Sequence, residues 1–158
     1  MAQRSGRTGS TAIPHLARWL GFAGLLPQVL VAALVIGGPP EFGAAATTLG
    51  LFYAVLILSF IGGAWWGLAA QGGERVPPWL WLAAVVPSLV ALAVLGTSLV
   101  GRSAGPGLMV TGGALIAALG IDLRLAVNGL CPPGWLSLRT PLSLGLGALC
   151  IIIASLAP

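Results

Sequence analysis

The sequence predicts an all-α, polytopic membrane protein built as a bundle of five transmembrane helices. Of its 158 residues, 58% are hydrophobic and only 6% are charged, and the mean hydropathy is +1.03. A soluble protein of this length needs far more polar surface. Because crossing a hydrocarbon core takes about 20 helical residues, these residues accommodate five spans with short loops and leave no room for a soluble domain.

Five apolar stretches give the predicted spans, which are residues 16–36, 49–70, 79–100, 107–126 and 141–157. Gly and Pro cluster in the segments between the first four. We expect the last span to begin with Thr140 as its N-cap and Pro141 in its first turn. Residues 1–15 contain no acidic residue and are expected to be a disordered basic segment. Residues 16–157 then form a single transmembrane domain.

The second span is the one around which we expect the others to pack. Ser59, Gly63 and Gly67 recur at four-residue spacing, so they share one helix face. Small residues on such a face allow a neighbouring backbone to approach closely in lipid. The spacing therefore predicts a helix-packing face, although glycine is so abundant in this chain, with 24 in total, that chance spacing is an alternative.

Arginine positions predict the orientation of the bundle. With five spans, six arginines lie on one side of the membrane and only Arg102 lies on the other. Because positive charges are retained on the cytoplasmic side, we expect a cytoplasmic amino terminus and a carboxyl terminus on the opposite side. The six arginines are Arg4, Arg7, Arg18, Arg75, Arg124 and Arg139.

The tryptophans fall at or near the same predicted cytoplasmic boundary. Indole rings prefer the interface between water and lipid, so the six predict an aromatic interface belt on one side only. Such asymmetry favours a wider, more interactive cytoplasmic face, or simple anchoring of the bundle. The six are Trp19, Trp65, Trp66, Trp79, Trp81 and Trp135.

Two prolines interrupt the predicted spans and each precedes a polar residue. Pro27 is followed by Gln28, and Pro87 is followed by Ser88. A proline inside a helix removes a backbone hydrogen bond and frees a carbonyl. Gln28 and Ser88 could bond to such carbonyls locally, or they could line a small polar cavity between the first and third spans.

The strongest polar cluster lies near the end of the fourth span. Asp122 and Arg124 are two residues apart, so they point to roughly opposite sides of a helix. Each therefore needs another partner, and a carboxylate within a membrane is a suspected functional group. Asp122 could pair with an arginine at the same membrane level. The predicted interfacial ion-pair cluster comprises Asp122, Arg124, Arg139, Arg18 and Arg75.

The sequence offers no set of residues for catalysis or metal binding. Cys131 falls in a loop and Cys150 lies deep in the last span, so their depths differ too much for a disulfide. The only histidine, His15, precedes the first span. We therefore expect no enzymatic activity, no cofactor and no metal site, and the scattered arginines do not indicate nucleic-acid binding.

Several short motifs stand out along the chain. They are Gly24-Leu-Leu-Pro27, Tyr53-Ala54, Ile57-Leu-Ser-Phe60-Ile-Gly-Gly63, Trp66-Gly-Leu-Ala69, Pro87-Ser-Leu89, Asp122-Leu-Arg124, Pro133-Gly-Trp135 and Leu138-Arg139-Thr-Pro141-Leu142. Over about residues 14–157, these motifs resemble the domain-of-unknown-function 3429 family, which includes mitochondrial transmembrane protein 69. The resemblance implies a five-helix inner-membrane protein of bacteria or mitochondria, without a particular activity. Family members often carry His or Arg in place of Trp65 and Phe in place of Gln28.

These observations favour an accessory or assembly subunit of a larger energy-transducing membrane complex. We expect it to associate laterally with other integral membrane proteins and with membrane lipids, in a bacterial inner membrane or alternatively a mitochondrial inner membrane. The alternative function is a carrier of small solutes or lipid-like molecules that uses the kinked first and third spans. A third hypothesis is binding of a quinone or tetrapyrrole between the tryptophans, and pigments or quinones are also possible neighbours.

Overall fold

The described part of the chain is entirely helical and forms the predicted membrane bundle. The computed structural model describes residues 14–73, 76–101 and 103–157. Within them, five segments are long and apolar enough to cross a membrane, with α1 and α2 together forming the first. The prediction of five transmembrane helices is therefore confirmed. The helices are α1 (His15–Ala23), α2 (Leu26–Gly37), α3 (Pro40–Gly72), α4 (Pro78–Gly101), α5 (Gly105–Val127) and α6 (Trp135–Leu156).

The first span, predicted over residues 16–36 with an interruption at Pro27, is divided into two helices. Helix α1 ends at Ala23, and α2 begins at Leu26 with Pro27 in its first turn. Proline has no N–H and its ring collides with the carbonyl four residues earlier, so the helix restarts there. The hydroxyl of Tyr53 on α3 donates a hydrogen bond to the Gly24 carbonyl in this break, which satisfies a polar group that lipid would leave unpaired.

Two predicted helix starts are wrong. Helix α3 begins at Pro40 rather than near residue 49, because Pro40 occupies a position that needs no N–H and Glu41 lies in the first turn, where the helix dipole favours an acid. Helix α6 begins at Trp135, so Pro141 lies inside it and Thr140 does not cap it. Trp135 and Arg139 are held by bonds to α5 that are described below, and these bonds stabilise the added turns.

Helix α3 is the centre of the bundle. It packs against α2, α4, α5 and α6, and a larger share of it is buried than of any other candidate span in the described residues. Leu51, Leu58 and Ile61 are among its buried side chains. The second predicted span is thus the helix around which the others are arranged.

The close contact between α3 and α4 uses Gly62, one residue away from the predicted packing face. A Cβ added to Gly62 would lie 2.4 Å from the carbonyl oxygen of Ala84, whereas one added to Gly63 or Gly67 would meet no described atom within 4 Å. The assignment of Gly63 and Gly67 to packing within the bundle is therefore wrong. Ser59 does lie at this contact, where its hydroxyl is 2.8 Å from that of Ser88.

A second close contact joins α5 to α6. A Cβ at Gly112 would lie 2.8 Å from the Gly147 oxygen, and one at Gly147 would lie 2.9 Å from the Gly112 oxygen. The two backbones therefore touch, as small residues allow in lipid. Gly113, the next residue along α5, faces away from this contact with no described atom within 4 Å of its added Cβ.

Some predictions concern residues that the structure does not describe. Residues 1–13 of the predicted basic segment, together with Arg75 and Arg102, lie outside the described residues. Of that segment, only Pro14 and His15 are described, and α1 begins at His15. The orientation inferred from the arginines stays a prediction.

Neighbouring glycines allow a matched test of the packing. We expect Gly62→Ala and Gly112→Ala to lower stability by about 1–3 kcal/mol, because each added methyl group collides with a backbone carbonyl. Gly63→Ala and Gly113→Ala should be neutral or slightly stabilising, because alanine favours the helix and the space is open. Thermal unfolding in detergent measures the difference. Equal melting midpoints for the two members of a pair would contradict the observed crossings.

The orientation can be tested with the two cysteines. Both are free, and Cys150 is buried while Cys131 is partly exposed between α5 and α6. We expect a membrane-impermeant maleimide to label Cys131 in inverted vesicles and not in spheroplasts. Burial and the Asp122 carboxylate raise the pKa of the Cys131 thiol, so the reaction needs mildly alkaline buffer to supply thiolate. Cys131→Ser is the control, and labelling of spheroplasts instead would reverse the orientation.

Candidate functional site

A fully buried carboxylate joins three of the helices. Asp122 on α5 has no exposed surface. Its Oδ1 accepts hydrogen bonds from the indole N–H of Trp65 at 2.9 Å and of Trp135 at 2.8 Å. Its Oδ2 accepts from Nε of Arg139 at 3.0 Å. Three donors, one of them charged, thus compensate the loss of water around this carboxylate.

The local sequence explains why these donors converge. Trp135 and Arg139 are four residues apart, so they lie on the same face of α6. Gly134 precedes them with a φ of 82°, a left-handed conformation that glycine adopts without steric cost. This residue turns the chain into α6 so that the helix's first side chains reach α5. Trp65 approaches from the other side, on α3.

Of the predicted ion-pair cluster, the structure brings together Asp122 and Arg139. They form a salt bridge in which the Arg139 side chain is 12% exposed. Arg124 is exposed, on the side of α5 away from the buried Asp122, and Arg18 is exposed on α1. These two arginines do not join the pair, because neither is directed toward the interior. Arg75 lies outside the described residues.

The predicted aromatic belt is divided between the surface and this site. Trp65 is 2% exposed and donates to Asp122, so its assignment to the interface belt is wrong. Trp135 is partly buried and also donates to Asp122. Trp19 and Trp66 are exposed, and Trp79 and Trp81 are partly exposed. The rings of Trp66 and Trp81 pack edge to face with their centroids 4.8 Å apart.

The predicted polar cavity between the first and third spans does not form. Gln28 on α2 is fully buried, and its Nε2 lies 3.4 Å from Sγ of Cys150 on α6. Ser88 instead faces Ser59 across the contact of α3 with α4. The two residues are separated because α2 packs on α3 and α6, whereas α4 packs on α3 and α5.

A different cavity lies beside the buried carboxylate. It has a volume of about 530 Å³ and is bounded by α1, α3 and α6, with Leu115 contributed by α5. Its walls are almost entirely apolar. Aliphatic side chains such as Leu25, Ile57, Leu142 and Leu146 line it. This size is in the range of protein pockets for small molecules.

Two polar atoms, in residues that line this cavity, have no hydrogen-bond partner among the described residues. They are Nη2 of Arg139 and Oγ of Ser143, which are both buried and belong to residues that line the cavity. They lie four residues apart on α6, so they share one face of the helix. An unpaired buried donor costs free energy comparable to a lost hydrogen bond. Both atoms have almost no accessible surface, so they are covered by neighbouring groups and are not open to the cavity.

The arrangement holds one ion pair inside the bundle. The carboxylate oxygens of Asp122 are already engaged by three donors. Within the described residues, no group of three or more His, Cys, Asp and Glu side chains could hold a metal ion. Arg139 belongs to both the ion pair and the lining of the cavity, since its Nε donates to Asp122 and its side chain forms part of the cavity wall.

Several of these residues were not predicted as site residues from the sequence. Ser143, Cys150 and Tyr53 gave no signal beyond being polar or polarisable residues within apolar spans. The four-residue spacing of Trp135, Arg139 and Ser143 was a usable signal, because it places them on one face of a helix. It was hidden by the prediction that α6 begins only at residue 141.

Fold and site together define a multi-pass membrane protein whose spans are joined by a buried carboxylate beside an apolar cavity. Its family is shown by comparison: the family described as "Protein of unknown function (DUF3429)" matches residues 13–156. The chain therefore belongs to the DUF3429 family, as its motifs suggested. Comparison with curated proteins and with solved structures gave no match.

Removing the buried carboxylate should weaken the bundle. We expect Asp122→Ala to lower the free energy of unfolding by about 3 kcal/mol, because it leaves Arg139 and two indole N–H groups without their acceptor. The yield of folded protein should fall with it. Arg124→Ala is the matched control, since Arg124 is a charged residue on the same helix that faces outward. Thermal unfolding in detergent is the measurement, and equal midpoints for the two variants would show that Asp122 does not clamp the helices.

Proposed function

We propose that the protein is a non-enzymatic accessory or assembly subunit of a larger energy-transducing membrane complex. It acts by lateral association, placing its helices against those of other integral membrane proteins. The observation that carries this proposal is a set of small residues that face outward from the bundle, where the described part of the chain provides nothing to fill the space beside them.

On α5 these outward residues are Gly113, Ala117 and Gly120. They are exposed, and a Cβ added to either glycine would meet no described atom within 4 Å. Their spacing of four and three residues puts them on one face of the helix. Val110 and Leu123, which are 55% and 53% exposed, stand before and after them. The result is a shallow notch between larger side chains.

On α3 the outward residues are Gly63 and Gly67. The sequence marks them as a packing face, and inside the bundle the contact uses Gly62 instead. Glycine in a helix costs about 1 kcal/mol relative to alanine in water. Packing of another helix on this outward face would explain why glycine recurs there. Small residues allow the backbones of two membrane helices to approach closely. This supports a partner from another membrane protein.

The carrier hypothesis receives less support in the form that uses the kinked first and third spans. Gln28 and Ser88 lie in different helix contacts, and neither lines the cavity. A solute path at that level would need polar groups from both spans in one place. These two polar side chains instead serve contacts between helices.

The remaining expectations form part of the proposal. We place the protein in a bacterial inner membrane with a cytoplasmic amino terminus, or alternatively in the mitochondrial inner membrane. Its lipid neighbours contact the exposed apolar flanks, which include Leu56, Leu82 and Leu92. Pigments or quinones of the larger complex would be its other neighbours.

Purification of the tagged protein from its native membrane in mild detergent tests the proposal. We expect stoichiometric recovery with the membrane subunits of one complex. The double variant Gly113→Leu, Gly120→Leu should lose this partner, because two leucines fill the notch. It should keep its own melting midpoint, because each side chain enters open space. Mass identification of the co-purified chains and thermal unfolding are the two measurements.

The control for this experiment is Gly96→Leu. Gly96 is an exposed glycine of α4 whose added Cβ would also meet no described atom within 4 Å, but it lies outside both sets of outward residues. It should retain the partner. Recovery of the unaltered protein alone, as a monomer or homodimer, would refute the proposal.

A further inference from the structure

Helix α1 lies outside the packed part of the bundle. Every residue of this helix except Gly21 is exposed, and none is buried. By contrast, α2, which is the other half of the same span, buries Gln28, Val31 and Ala32. A segment with few buried contacts opens at little cost in free energy. The first span therefore has one half that is anchored in the bundle and one half that is loosely held.

Two contacts hold α1 against the bundle. Its main contact is with α6, where a Cβ added to Gly21 would lie 3.1 Å from the side chain of Leu138 and 3.2 Å from that of Leu142. At the carboxyl end of α1, the Tyr53 hydroxyl on α3 donates a hydrogen bond to the Gly24 carbonyl. Packing and hydrogen bonds hold helices together in lipid, so these two contacts set the position of α1.

The break between α1 and α2 has the features of a hinge. Pro27 has no N–H, so the bond that a continuous helix would make to the Ala23 carbonyl is missing. The N–H of Leu25 bonds instead to the Phe22 carbonyl, three residues earlier. Gly24 can change its backbone conformation without a steric cost. Hinges are a few residues at the ends of elements that absorb a change in φ and ψ, and Gly24 and Leu25 occupy such a position.

Open space lies between α1 and α3. Helix α1 forms one wall of the cavity of about 530 Å³, and α3 forms another. Ala17 and Leu20 line the cavity and are exposed, so this face of α1 is not packed against Ile57 and Phe60 on the α3 wall. Rotation of α1 toward α3 narrows the cavity, and rotation away from α3 widens it. The width of the cavity therefore depends on the angle between α1 and α2.

We propose that α1 is a hinged wall of this cavity, which rotates about Gly24 and Leu25 while α2 stays packed in the bundle. The hydrogen bond from Tyr53 to the Gly24 carbonyl limits the rotation. The movement widens and narrows the cavity on the side where Leu20 and Phe60 are exposed. It does not involve the outward small residues of α3 and α5, so it is independent of whether the protein is a subunit of a larger complex.

Distances between pairs of spin labels, measured by pulsed electron paramagnetic resonance on the full-length protein in lipid nanodiscs, test the rotation. Labelled cysteines at Leu16 and Leu92 report on α1, and labelled cysteines at Leu30 and Leu92 report on α2. All three positions are exposed. Cys131→Ser removes the partly exposed native thiol, and Cys150 is buried. We expect the α1 pair to give a distance distribution about twice as wide as that of the α2 pair, because only α1 rotates about the hinge.

Tyr53→Phe is the decisive variant, because it removes the hydroxyl and keeps the ring. We expect it to widen the distribution of the α1 pair further and to leave the α2 pair unchanged. Fraying at the amino end of α1 would not respond to a bond at its other end, so this variant separates rotation from fraying. Thr97→Val is the matched control, since the Thr97 hydroxyl bonds to the Ala93 and Val94 carbonyls within α4, and it should change neither pair.

The unaltered protein and a second variant decide the question if Tyr53→Phe does not fold. The double variant Leu138→Ala, Leu142→Ala shortens the side chains that meet Gly21, and it should also widen the α1 pair alone. An α1 distribution as narrow as that of α2 in the unaltered protein would overturn the proposal. Equal widening of both pairs would overturn it too, because the whole first span would then move as one body.

Discussion

The arrangement of this protein depends on burying one negative charge within a membrane. Asp122 has no contact with solvent, and an unpaired carboxylate at such a position would cost several kcal/mol. The cost is offset by two indole N–H groups and one guanidinium, which come from α3 and α6. Three helices must therefore meet at fixed distances before the carboxylate is satisfied. The start of α6 at Trp135 and the burial of Trp65 both follow from this requirement.

Close helix contacts complement this clamp. Lipid tails are as apolar as leucine, so burial of apolar surface does not drive membrane helices together as it does in water, and contact depends on packing and hydrogen bonds. Gly62 on α3 and Gly112 on α5 allow the backbones of α4 and α6 to touch them. In each case the following residue, Gly63 or Gly113, points outward into open space. One glycine of each pair thus serves the bundle, and the other is available to a neighbour.

The break in the first span creates the space beside the clamp. A continuous helix would carry α1 onward along the axis of α2, whereas the break near Pro27 ends α1 at Ala23. Tyr53 satisfies the Gly24 carbonyl in the break. Helix α1 then makes its main contact with α6, and a cavity remains between α1, α3 and α6. Arg139 belongs to both the ion pair and the lining of this cavity.

The sequence by itself determined the class of fold and the number of spans, because bilayer thickness sets the length of an apolar helix. It also marked Asp122 as a residue that needs a partner, since a charge among apolar residues is costly wherever the chain places it. It did not determine which face of each helix points inward. In a soluble bundle, polar residues would mark the outer face, but here the lipid-facing side chains are as apolar as the core. The choice of Gly62 over Gly63, the separation of Gln28 from Ser88, and the capture of Trp65 by Asp122 were therefore decided only by the tertiary structure, in which packing and hydrogen bonds between helices fix the rotation of each one.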